Sequence, residues 1–107
     1  MMIIYYRNKE IENLFMHGKS IAYKAIMSKR MFMKVVCAFK AILRTIDNVV
    51  ELENYHWLRY ETHTKFSSVQ FEGAGVLGEL YFTEKDNGTR IIINDLIINN
   101  YGKERNI

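Results

Sequence analysis

The apolar period changes once along this chain, and that change limits what it can fold into. From Ser20 to Ile46 hydrophobic residues recur at helical spacing, while after Tyr55 they begin to alternate. At about 100° per residue, Ile21, Ala25, Phe32, Val35, Phe39, Ile42, Leu43 and Ile46 fall in one stripe. Lys29, Arg30, Lys34, Lys40 and Arg44 fall on the opposite side. Lys24 alone sits in the stripe, near its start, where its alkyl stem can snorkel. Met27, Met31 and Met33 flank it and read as gap-filling core edge. The spacing predicts a long helix over 21–46, capped by Ser20. A shorter helix is predicted over 9–17. Asn8 caps it, Ile11, Leu14 and Phe15 share its face, and Gly18 closes it.

The flanking segments read as strands. "MMIIYY" is rich in strand formers and bounded by polar residues. "YHWLRYE" and "FSSVQFE" alternate partly with period two, and "VLGELYF" is a third candidate. "GAG" supplies a hairpin loop, and "KDNG" carries the Asn-Gly pair that favours a type I′ turn. "TRIIINDLII" reads as a buried, central strand. Asp47-Asn48 either ends the long helix or caps the short turn "NVVELEN". The polar tail is expected to fray after Tyr101. The expected architecture is α+β: two N-terminal helices packed on a mostly antiparallel, four- to five-stranded sheet. At 107 residues the chain is long enough for one modest core, so 1–107 is read as a single domain.

Charge is distributed unevenly. Residues 1–46 carry nine Lys/Arg against two Asp/Glu, whereas residues 47–107 carry six against ten. Such asymmetry points to an anionic partner for the first half, with a solvated basic helix face as the plain alternative. No apolar run approaches the roughly 18 residues that would span a membrane, and "MMIIYYRNKE" lacks the pattern of a secretory signal. Cys37 is the lone cysteine. The expectation is a cytoplasmic protein, not associated with membranes and without disulfides, metal or cofactor. His17, His56 and His63 have no metal-ligand spacing, and "GAGVLG" lies between strands, unlike a phosphate-binding loop. Ser67-Ser68 form no nucleophile elbow and read as strand residues.

RNA cleavage needs less conspicuous equipment. A 2′-hydroxyl must lose a proton, the phosphate must be stabilised and the leaving oxygen must be protonated. Lys, Arg, His, Tyr and carboxylates converging on one sheet face suffice. Here the phrases "LRYETHTKFSSVQF", "ELYF" and "IIINDLIINNYGK" resemble the RelE/ParE toxin superfamily, most of all the HigB-like branch of type II toxin–antitoxin systems. In layout the resemblance covers nearly the whole chain, and its specific motifs cover about residues 57–103. Ser67, Ser68 and Val69 match the family series, as do Leu80, Phe82, Tyr101 and Lys103. Gln70 stands where the family has an arginine, and Glu79 where it has a second, or Gly78 if the gap shifts. The turn "EGAGVLG" is longer than the usual one.

The resemblance implies a toxin that cleaves mRNA on the ribosome and is neutralised by a cognate antitoxin. His63, Lys65 and Tyr101 would then be the catalytic candidates: His63 as acid or base, Lys65 as a phosphate contact, Tyr101 as a proton donor or stacking group. Arg59 would contact phosphate, and Gln70 would donate uncharged hydrogen bonds. Lys29, Arg30, Lys34, Lys40 and Arg44 would meet ribosomal RNA. Bland readings stand beside these. His63 is a solvated loop residue, Tyr101 anchors the last strand, Arg59 pairs with Glu61 or Glu72, and Trp57 is a core or edge packer instead of a base-stacking platform. The rival functions are a catalytically degenerate module that binds protein or nucleic acid, and, ranked last, a gyrase-directed toxin like the ParE side of the superfamily.

Overall fold

The computed structural model describes residues 2–99. It has α+β architecture with a five-stranded mixed sheet. In chain order the elements are β1 (Ile3–Tyr6), α1 (Lys9–His17), α2 (Lys24–Met27), α3 (Arg30–Thr45), two 3-10 turns (Val49–Asn54 and His56–Leu58), β2 (Glu61–Thr62), β3 (Ser67–Gly73), β4 (Val76–Lys85), a third 3-10 turn (Asp86–Gly88) and β5 (Arg90–Asn99). The strand order is β1-β5-β4-β3-β2. β1 runs parallel to β5, and the other neighbours are antiparallel. The long strand "TRIIINDLII" is therefore internal, and β1 and β2 form the two edges.

The first helix forms as its caps predict. The Asn8 side chain accepts the Ile11 N–H at 3.0 Å, and Gly18 closes the helix at φ 63°. The second does not run unbroken over 21–46. It splits at Ser28-Lys29 into α2 and α3, where the Ser28 hydroxyl donates to the Ala25 carbonyl at 2.8 Å and Lys29 leaves helical geometry at ψ 87°. Ile21, first in the predicted stripe, lies before the break and is 90% exposed. Ile26 and Val36 are buried in addition to Phe32, Phe39, Leu43 and Ile46. Ser20 does not cap a helix. Its hydroxyl donates to Glu10 at 2.7 Å and ties the segment before α2 back to α1.

"YHWLRYE" departs from expectation too. Its first half is the 3-10 turn His56–Leu58, with Leu58 buried and Arg59 in the left-handed region at φ 44°. Only Glu61 and Thr62 pair with β3. Asn48 caps the preceding turn, accepting the Val50 N–H at 3.0 Å, while Glu51 accepts the Asn48 N–H at 3.0 Å. The "KDNG" loop has Asn87 and Gly88 both at positive φ, as an Asn-Gly hairpin turn requires.

Alternation gives β3 and β4 two distinct faces. Val69, Phe71, Gly78, Leu80 and Phe82 face the core and are buried. α3 lies over them. Phe32 stacks on Phe71 at 5.5 Å between ring centroids, and Phe39 does so at 5.7 Å. Gly78 permits this approach, because a Cβ there would stand 2.3 Å from the Phe32 Cζ. Ser68, Gln70, Glu79 and Tyr81 point to the other face.

Candidate functional site

On that open face the sheet register places polar residues in rows. Ser68 stands opposite Tyr81, which stands opposite Asp95; one step along, Gln70 stands opposite Glu79. Glu79 is the hub. The Gln70 amide donates to it at 3.0 Å, and the Tyr81 hydroxyl donates to its other oxygen. This hydrogen bond, with some burial, pushes the Tyr81 hydroxyl up to about 12. Tyr23, from the start of α2, donates to Asp95 at 2.6 Å, and burial followed by this bond raises its pKa. Both phenols therefore stay protonated near neutrality and act as donors to carboxylates, not as bases.

His63 lies at the β2 end of the face. Its ring stacks on Phe66 at 4.6 Å, and Phe66 meets Tyr81 edge-on at 5.5 Å. Its Nε2 is 3.4 Å from the Ser68 hydroxyl and 3.7 Å from the Glu61 carboxylate. The ring is exposed to solvent on one side and neighboured by these groups on the other. Histidine is the side-chain type suited to proton exchange near neutral pH. Lys65 lines a shallow hollow beside it, with Thr62, Thr83 and Glu84. Ser67 faces the other way and donates to Glu84, which also accepts the Tyr60 hydroxyl at 2.5 Å. Burial first, and then that bond, raises the Tyr60 pKa.

Further along β3, the turn His56–Leu58 walls off a cleft of about 680 Å³ that Arg59, Gln70, Glu72 and Leu77 also line. Arg59 and Gln70 are therefore brought to one cavity. Trp57, which also lines it, is 45% exposed, which excludes a place in the core and leaves the edge-packer and base-stacking readings open.

The basic residues of the second predicted helix do not join this face. Lys40 and Arg44 line a different groove, of about 610 Å³, with Tyr5, Lys9, Glu12 and Met16 between β1 and α1. β1 and β2 are opposite edges of the five strands, so four strand spacings of roughly 4.8 Å separate them by about 19 Å. Lys34 is exposed on α3, and Lys29 and Arg30 sit at its start. Tyr101 and Lys103 lie outside the described residues.

Sequence reasoning missed Phe66, Tyr81, Tyr23 and Asp95. For Tyr81 the signal was available, since it shares strand parity with Glu79. The Tyr23–Asp95 bond joins residues 72 apart, which no local pattern reveals. Among the described residues, no group of three His, Cys, Asp or Glu side chains is placed to hold a metal ion, and no helix is long and apolar enough to cross a membrane. No family model, curated protein or solved structure matches the chain.

Proposed function

We propose that this protein acts on RNA as a RelE/HigB-like toxin, cleaving mRNA at the ribosome and neutralised by a cognate antitoxin. The observation that carries this reading is the polar row along β3, with the exposed His63 against the buried Ser68 at one end and Arg59 beside the half-buried Gln70 at the other. An RNA strand laid along this row would meet an imidazole able to take the 2′-hydroxyl proton. Arg59 and Lys65 would balance the phosphate charge, and Gln70 would orient it without charge. The basic side of α3 would contribute a separate contact with ribosomal RNA.

The test is induction in cells with mapping of mRNA 5′ ends. Wild type should arrest growth and create new ends, and His63→Ala should cut their yield by about 10²–10⁴-fold. Folded protein accumulating with normal growth and intact transcripts would sink the proposal.

One observation favours a second reading, a degenerate member that binds without cleaving. Glu79 puts a carboxylate at the centre of the face and engages both Gln70 and Tyr81. This reading expects RNA or a protein partner to be retained by the purified chain with no new RNA ends.

A further inference from the structure

We infer that the cleft between Trp57 and Gln70 seats one base of a single-stranded RNA, stacked on the indole, with the adjoining phosphate on Arg59. This inference rests on the RNA-directed reading above and names the part of the substrate that the face recognises.

Three features converge. The half-exposed Trp57 lines a cleft of about 680 Å³, a size that holds a nucleobase with room for its sugar. Leu58, next to Trp57, is fully buried and anchors the turn that carries the indole. An exposed aromatic beside an arginine is the combination that binds single strands, since every base has a stacking face and every linkage a charge.

The second feature is Arg59. Its left-handed backbone, φ 44° and ψ 55°, turns the chain sharply between Leu58 and the short β2. That turn places Arg59 with His56 and Trp57 around one cleft, instead of alternating along a strand. Arginine's planar fork suits a phosphate better than a point charge does.

The third is Gln70. It spends one N–H on Glu79 at 3.0 Å, which fixes the amide. Its carbonyl oxygen and second N–H remain for the edge of a base. Gln70 is two residues from Ser68 on the same face, about 7 Å along the strand. A base in the cleft therefore directs the neighbouring linkage toward His63, which lies against Ser68. The cleft would thus set register: it holds one nucleotide so that the next presents its 2′-hydroxyl to the imidazole.

Trp57 is the protein's sole tryptophan, so its fluorescence reports this cleft alone. Purified protein is titrated with the pentaribonucleotides A5, U5 and C5, and separately with AMP. Saturable quenching by at least one pentamer is expected. It should weaken with added salt and be much weaker for AMP, which lacks the neighbouring linkage. By filter binding, Trp57→Ala should reduce pentamer affinity about tenfold or more, while Trp57→Phe retains most of it. Arg59→Ala should weaken binding and flatten its salt dependence, and Lys85→Ala should leave affinity within twofold. Circular dichroism checks that each variant is folded.

No quenching by any pentamer, or equal affinity for wild type and folded Trp57→Ala, overturns the inference. So does AMP binding as tightly as a pentamer, which would make the cleft a site for free nucleotide, or Trp57 responding to a protein partner but to no RNA. The two proposals fail separately. Transcript cleavage that survives Trp57→Ala removes the cleft and keeps the toxin reading. Quenching without any cleavage in cells keeps the cleft and removes the nuclease.

Discussion

The two faces of this sheet are built from the same strands, and alternate residues of β3 and β4 do opposite work. Under α3, Phe71, Gly78, Leu80 and Phe82 are buried, and Phe32 and Phe39 pack down on Phe71. On the open side, Ser68, Gln70, Glu79 and Tyr81 bond to one another or to loop residues. The first face holds its shape through burial, at about 1.5–3 kcal/mol for each large side chain removed from water. The second gains little net stability, because each hydrogen bond there replaces one to water. A face that contributes little to stability is free to carry recognition.

The two faces differ most at Phe32. Truncation to Ala should cost about 3–5 kcal/mol, because the ring is fully buried between Gly78 and Phe71. Urea denaturation measures this directly. A loss under about 1 kcal/mol would mean that α3 does not depend on this contact, and the contrast between the faces would collapse. Gly78→Ala approaches the same contact from the other side. Its new methyl would stand 2.7 Å from the Phe32 Cε1, and overpacking of this kind costs about 1–3 kcal/mol.

The buried face was also the more legible in sequence. Phe32, Phe39, Leu43 and Ile46 stood in the predicted helical stripe, and all four are buried. α1 was legible to its ends, because Asn8 and Gly18 are local signals with local mechanisms. The break at Ser28-Lys29 was not, since helical spacing continues through it. The break comes with a serine back-bond to Ala25 and a tether from Tyr23 to Asp95 on β5. "YHWLRYE" misled for a similar reason. Its alternation fits a strand, but the left-handed Arg59 and buried Leu58 make it a turn against β3. On the open face, Gln70 and Glu79 were singled out as departures from a resemblance. That they bond to each other follows from strand register, which "GAG" set by closing the hairpin.

A smaller effect is expected from Gln70→Arg. The new guanidinium would face Glu79 across the β3–β4 pair, where opposite charges contribute roughly 0.2–1 kcal/mol. Stability should rise within that range, and A5 affinity should rise with it, because a fixed charge joins the phosphate path. The midpoint of urea unfolding and a filter-binding titration check the two halves. A loss above about 2 kcal/mol would show that this face is packed as tightly as the one beneath α3.

The smallest effect concerns pH and isolates a single bond. Tyr81 ionises at about 12 in the folded chain, against an ordinary 10.0, chiefly because its hydroxyl donates to Glu79. The folded protein holds this proton more tightly than the unfolded chain does. The stability that comes from it is therefore complete below about pH 10 and is lost as pH rises toward about 12. Tyr81→Phe removes the bond and should cost about 0.5–1 kcal/mol near neutrality. Tyr23 and Tyr60 also have raised pKa values and are present in both proteins, so their share cancels in the comparison. The gap between wild type and Tyr81→Phe, read from urea midpoints, should hold between about pH 7 and 9 and shrink by about pH 11. A gap that stays constant through the alkaline range would show that the Tyr81 ring, through its contact with Phe66, and not its hydroxyl, accounts for the difference. In that event the open face too would be held chiefly by packing.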